Sequence, residues 1–164
     1  MFAGKTSELL WRVSHHADAQ IFKHTSDSRY GTESECVSHN GQRRPCWVAS
    51  TADQIREQIK PQTTLVGIDE AQFFGPDIVG LVEELANCGI SVLLAGLDQD
   101  YTGKTFGSMG ELLGCADAVV KLAAECSQCG KSATKTFRKA ASRETVLVGA
   151  DDAYEARCRT CWAS

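Results

Sequence analysis

At 164 residues the chain is long enough for one compact domain with a real core and a small appended module, and too short for a second full domain. A formal net charge of −4 and a pI near 5.6 lack the basic surplus of a protein that lives on a phosphate backbone, although a few focused donors can still hold a small anion. There is no apolar run of about 18 residues, and the first residues form neither a basic n-region nor an apolar h-region, so a cytoplasmic protein with no membrane or nucleic-acid partner is expected.

Met1 to Asp18 reads M-F-A-G-K-T-S-E-L-L-W-R-V-S-H-H-A-D. Leu9, Leu10, Val13 and Ala17 recur at helical spacing, which predicts a helix from about Lys5 with Gly4 at its mouth. Gly4-Lys5-Thr6 is the back half of the phosphate-binding pattern G-x-x-x-x-G-K-[ST]. In that pattern backbone amides at a helix N-terminus receive phosphate oxygens, the lysine reaches the outer phosphates and the hydroxyl holds Mg²⁺. The tripeptide alone is a weak signal. Its first glycine and preceding strand are absent, so a longer parent chain is expected, and the first strand of the sheet is expected to be missing here.

Ala19 to Lys23 predicts a short strand, and His24 to Asn40 a polar connection containing Asp27-Ser28-Arg29-Tyr30. An Asp and an Arg two apart in a loop are usually solvated; after a strand they are also placed to lean over a nucleotide. Cys46 to Val48 predicts another strand, and Thr51 to Ile59 a helix with Thr51 as N-cap and Pro61 past its end. Thr64 to Phe74 reads T-L-V-G-I-D-E-A-Q-F-F. Leu65, Val66 and Ile68 have the composition of a buried strand, and Asp69, Glu70 and Gln72 crowd its carboxyl end. Ligands of open α/β sheets bind at that end, so the acids sit where a metal or a reacting hydroxyl would be; an ordinary solvated turn fits the same letters.

Pro76 to Asn87 is amphipathic, with Ile78, Leu81, Val82 and Leu85 on one face and Gly89 as a stop, and Ser91 to Ala95 is a further buried strand. Strand, helix, strand in this order is a βαβ unit and predicts a parallel sheet. Gly96 to Tyr101 then falls on the same edge as Asp69 and Glu70. Tyr101 and Phe106 lie in a loop punctuated by Gly103, Gly107 and Gly110, where aromatics either pack or stack on a flat base. A short helix near Glu111 to Leu113 and a strand at Ala118 to Leu122 would complete this core.

The tail carries two Cys-x-x-Cys pairs, Cys126/Cys129 and Cys158/Cys161. Four thiolates suit tetrahedral Zn²⁺, and a closed set leaves no open position, so the metal would be structural. A thioredoxin-like use is the poorer fit, because neither pair opens a helix after a strand. Cys36, Cys46, Cys88 and Cys115 are scattered and are expected to be reduced and structural. Between the pairs lies a segment with Thr136, Arg138, the run Thr145-Val146-Leu147-Val148, Gly149 and Tyr154, tied at its base by zinc.

M-F-A-G-K-T, D-S-R-Y, I-D-E-A-Q-F-F, A-G-L-D-Q-D-Y and V-G-A-D-D-A-Y-E-A-R-C-R-T-C resemble, in that order, the motifs of the zinc-containing type II thymidine kinases, over essentially Met1 to Trp162. The resemblance implies a RecA-like P-loop α/β core over residues 1–122 and a zinc lobe over 123–164 whose lasso closes on thymidine. It also implies transfer of the ATP γ-phosphoryl group to the 5′-hydroxyl. By this resemblance Gly4, Lys5, Thr6 and Ser7 form the phosphate loop, and Asp69 is the acid associated with Mg²⁺ beside Thr6. Gln72 is grouped with the nucleotide residues, and Glu70 is the catalytic base. Asp27 and Arg29 stand near the phosphates. Met1, Leu97, Tyr101 and Phe106 form the base pocket, with Tyr101 where phenylalanine is common. Thr136, Arg138, Thr145, Val146, Leu147, Val148, Gly149 and Tyr154 belong to the lasso, and the four paired cysteines bind zinc. Thymidine with deoxyuridine as a possible alternative, ATP, dTTP as feedback inhibitor, and a homotetramer or dimer are the implied partners.

Two other classes use some of the same residues. D-E-A-Q echoes helicase-type ATPases, which want a second RecA-like domain and a basic channel that this chain lacks. A nucleic-acid-binding zinc module would use Arg157 and Arg159, but acids lie close by.

Overall fold

The computed structural model describes residues 1–26, 35–37, 41, 43–139 and 153–163. Gly4, in the left-handed region at φ 74°, turns the chain into helix α1 (Lys5–Val13), whose Leu9, Leu10 and Val13 are buried. Strand β1 (Ala19–His24) follows, then a small antiparallel pair β2 (Glu35–Val37) and β3 (Arg43–Pro45), and strand β4 (Trp47–Ala49). Helix α2 (Ala52–Gln58) starts where expected: the Thr51 hydroxyl accepts the Gln54 N–H at 3.3 Å, satisfying one of the otherwise orphaned first-turn donors.

Strand β5 (Leu65–Asp69) is buried at every position, so its apolar run reflects cover on both faces rather than alternation. A 3₁₀ turn (Ala71–Phe73), helix α3 (Asp77–Asn87), strand β6 (Ser91–Leu94) and helix α4 (Met109–Cys115) complete the core. The sheet order is β4-β1-β5-β6, and all three pairings are parallel. Helices cover both faces: Phe22, Val66 and Ile68 pack with Ile55, Ile78, Leu81 and Leu112 on one side, while Ile21 and Leu65 pack with Leu9, Leu10 and Val13 of α1 on the other. Full burial of one such side chain contributes about 1.5–3 kcal/mol.

Among the described residues the lobe after α4 has two antiparallel pairs, β7 (Ala124–Glu125) with β8 (Ser132–Ala133) and β9 (Lys135–Arg138) with β10 (Tyr154–Arg157), and the short helix α5 (Arg159–Ala163).

Three expectations are corrected. The strand expected at Ala118 to Leu122 does not form, and Val119 and Val120 are exposed. A strand needs a ladder neighbour, and a cavity of about 250 Å³ separates this segment from β6, the last strand of the sheet. The amides of Ser91 and Ala95 donate to Thr64 and Ile68 on the β5 side, so alternation turns those of Val92 and Leu94 toward the cavity. The second correction is helix α1, which stops at Val13 and leaves Ala17 outside. The Ser14 hydroxyl donates to the Trp11 carbonyl at 2.6 Å, and His15 Nδ1 lies 2.9 Å from the same oxygen; such local bonds compete with continuation of the helix. Third, of the scattered cysteines only Cys36 and Cys46 are buried and Cys88 and Cys115 are exposed, although none of the four forms a disulfide, as expected.

Candidate active site

The carboxyl edge of the sheet gathers the polar residues. Asp69 ends β5 opposite the first turn of α1, and the Thr6 hydroxyl donates to its Oδ2 at 2.8 Å. The backbone N–H of Glu70 donates to Asp69 Oδ1 at 3.0 Å. Burial and, secondarily, the neighbouring Glu70 charge push the Asp69 carboxyl up to about 6, against the Thr6 hydroxyl and Lys5, which pull it down.

Glu70 is buried, and it is a non-glycine residue in the left-handed region, at φ 53° and ψ 42°. A backbone there costs on the order of 1–3 kcal/mol and persists only where its surroundings dictate it. They do so here. The Ala71 amide donates to the Ala95 carbonyl at 3.0 Å, and the Gln72 side chain donates through Nε2 to Glu70 Oε2 while its Oε1 accepts the Leu97 amide at 3.0 Å. Gln72, grouped from sequence with the nucleotide residues, thus spends its side-chain amide on linking the β5 turn to the loop after β6.

That loop is a compact hairpin. Asp100 Oδ1 accepts from the amides of Thr102 and Lys104 and from the Thr102 hydroxyl, and Gln99 bridges Thr105. Gly107 lets the loop come down on the turn: a Cβ there would lie 2.2 Å from the Gln72 carbonyl oxygen. Phe106 packs edge-on against Phe73, with ring centroids 5.6 Å apart.

Met1, Leu97 and Thr136 line the same cavity that borders β6, together with Lys5. The Met1 nitrogen lies 3.1 Å from Thr136 Oγ1. The Arg138 guanidinium stacks over the Tyr101 ring at 4.0 Å and bonds the Tyr154 hydroxyl. The structure therefore brings Lys5, Thr6, Asp69, Glu70 and Gln72 to one edge, sets Met1, Leu97 and Thr136 around one cavity, and clusters Tyr101, Arg138 and Tyr154. Gly4 and Ser7 take their places at the start of α1. Asp27, Arg29 and Thr145, Val146, Leu147, Val148 and Gly149 lie outside the described residues.

The ligand atoms of Cys126, Cys129, Cys158 and Cys161 all lie within 4.8 Å of one another. The Sγ atoms of Cys129 and Cys158 are 3.7 Å apart. A tetrahedron with Zn–S bonds of ~2.3 Å has edges of ~3.8 Å, whereas a disulfide needs ~2.05 Å, so the spacing fits a tetrathiolate metal centre. The knuckle is built by the Gly130 amide, which donates to the Cys126 carbonyl at 2.9 Å. The amide of Cys158 is the main cause holding the Cys126 thiol down to about 6.

Residues that the sequence reading passed over also meet here. Trp162 donates its indole N–H to the Thr136 carbonyl at 3.1 Å, and Lys135 donates to Gln99 Oε1 at 2.6 Å. The only local signal was their adjacency, Trp162 to Cys161 and Lys135 to Thr136. Among the described residues no helix is long and apolar enough to cross a membrane. Comparison with known families finds that the family model described as thymidine kinase matches residues 1–162.

Proposed function

The chain belongs to the thymidine kinase family, whose members phosphorylate thymidine with ATP, and from that premise we propose that Glu70 is the general base that takes the proton of the thymidine 5′-hydroxyl as dTMP and ADP form. The observation that carries this reading is the division of labour between two adjacent carboxylates: Asp69 faces the Thr6 hydroxyl, and Glu70 is held toward the loop after β6 through Gln72.

Phosphoryl transfer passes through a loose transition state, so catalysis rests on aligning donor and acceptor and neutralising charge on the phosphate oxygens. Gly4, Lys5, Thr6 and Ser7 at the mouth of α1 would cradle the phosphates, with Gln72, Asp27 and Arg29 supporting the nucleotide side. Mg²⁺ held by Thr6 and Asp69 would supply charge neutralisation. Met1, Leu97, Tyr101 and Phe106 would form the wall around the base, and Thr136, Arg138, Tyr154 and the backbone of 145–149 the lasso. The four cysteines would hold structural Zn²⁺ in a lobe, 123–164, separate from the nucleotide-binding domain, 1–122. A cytoplasmic homotetramer or dimer, tolerance of deoxyuridine and feedback by dTTP complete the reading.

The test is thymidine-dependent ATP turnover. Glu70→Gln should lower kcat by roughly 10²–10⁴-fold, the usual contribution of a positioned base, with zinc content and thymidine binding unchanged. Wild-type kcat in that variant would sink the assignment. ATP turnover stimulated by DNA instead of thymidine would favour a helicase-type ATPase, and DNA binding without turnover a zinc module.

A further inference from the structure

We propose that Trp162 is a positioning residue of the nucleoside site, through which the four-cysteine centre sets the geometry of Thr136 and of the loop carrying Tyr101 and Phe106. The inference rests on the thymidine kinase reading above, and Trp162 itself touches no reacting atom.

Trp162 follows Cys161 directly and sits on α5, where its backbone N–H donates to the Cys158 carbonyl at 2.9 Å. The Cys161 amide points at Cys158 Sγ, 3.5 Å away. Its backbone is therefore fixed by the cysteine pair. Its side chain makes two contacts on β9 of the same lobe and one with the loop after β6. The indole N–H donates to the Thr136 carbonyl at 3.1 Å, and the same Thr136 lines the cavity together with Met1 and Leu97. The edge of the six-membered ring lies against Gly103, where a Cβ would come 3.1 Å from Cη2; the φ of +84° there independently favours glycine. The ring face lies 5.0 Å beneath the Lys135 ammonium, which donates to Gln99 Oε1. Gln99 in turn bridges Thr105 and closes the hairpin that holds Tyr101 and leads to Phe106. An indole has one donor and no acceptor, and the ring it presents is rigid. Trp162 thus behaves as a stiff strut whose foot is the metal centre and whose head holds both walls of the nucleoside site.

The strut makes separable predictions. Trp162→Phe keeps an aromatic ring at the same Cβ but loses the N–H and the outer ring atoms that reach Gly103, so KM for thymidine should rise by at least roughly 3- to 10-fold, the effect of about one neutral hydrogen bond. KM for ATP and kcat should stay within about twofold. Trp162→Leu loses the ring as well and should raise the thymidine KM further, so phenylalanine acts as a partial rescue. A readout independent of turnover is amide exchange. In Trp162→Phe, protection should fall at 99–106 and 135–138 while β5 and β6 keep theirs, with zinc content equal to wild type. An unchanged thymidine KM, or equal rises in both KM values, would overturn the proposal, as would exchange that rises across the whole lobe with loss of zinc. Should Trp162→Leu fail to hold zinc, the phenylalanine variant decides alone. If the wild-type chain shows no thymidine-dependent turnover, the functional reading fails, and the exchange pattern still tests the strut.

Discussion

Thr6 and Asp69, 63 residues apart in the chain, meet through a 2.8 Å hydrogen bond in which the hydroxyl donates to a carboxylate that burial makes reluctant to ionise. Helix α1 and strand β5 are thereby pinned together at the point where a phosphate-bound cation would be shared. Thr6→Val keeps the shape and removes the donor. A hydrogen bond to a charged group is worth ~1.5–3 kcal/mol, so kcat/KM for Mg-ATP should fall roughly 10- to 100-fold, with a larger fall at low Mg²⁺. Steady-state kinetics across a Mg²⁺ series checks this.

Gln72 spends both ends of its side chain on protein partners, Glu70 and Leu97. Gln72→Leu preserves volume and removes both bonds, and the Leu97 amide left without its acceptor costs ~1–3 kcal/mol. The urea midpoint should drop accordingly, and kcat should fall about 10-fold as Glu70 loses its orientation. Gln72→Glu should be worse for activity, since it sets a second carboxylate against Glu70. A variant with wild-type kcat would show that Glu70 needs no such support.

Chelation of the zinc proposed for the four-cysteine centre should raise the KM for thymidine more than that for ATP, because the proposed nucleoside contacts lie on β9 and β10 while the proposed phosphate contacts lie on α1. Equal effects on the two substrates would contradict this division. The measurement is a pair of KM values before and after chelation, with metal content determined alongside.

His24 sits at the end of β1 between Phe73 and Phe74, and its Nδ1 accepts the Ser26 amide at 3.1 Å. Burial lowers its pKa below the ordinary histidine value, against a smaller opposing effect of the Ser50 backbone. With the folded-state pKa below the unfolded one, the unfolded chain binds more protons in the interval between them, so stability rises with pH there. The contribution is fully present above about pH 6.5 and is lost as the pH falls through the folded value. Urea midpoints at pH 7.5 and 5.5 should differ more for the wild type than for His24→Asn, which keeps an acceptor for the Ser26 amide and cannot charge.

Much of this architecture was legible because its causes are local. The Thr51 cap, the β-branched run of β5, the apolar face of α3 and the spacing of the paired cysteines each act within a few residues, and each element stands where the letters put it. Ala118 to Leu122 reads as a strand by the same composition, but a ladder needs a neighbour, and no local pattern supplies one. The candidate site divides in the same way. Asp69 and Glu70 announce themselves at the end of a buried strand. The left-handed backbone of Glu70, the bridging amide of Gln72 and the reach of Trp162 to Thr136 depend on contacts 2 to 26 residues away and leave no periodic trace.

Among the described residues β6 has a ladder partner on one side only, and the amides of Val92 and Leu94 face the cavity whose other wall includes Ala118 and Leu122. An extended segment laid in that cavity would meet a ready hydrogen-bonding edge and join the sheet as a fifth strand.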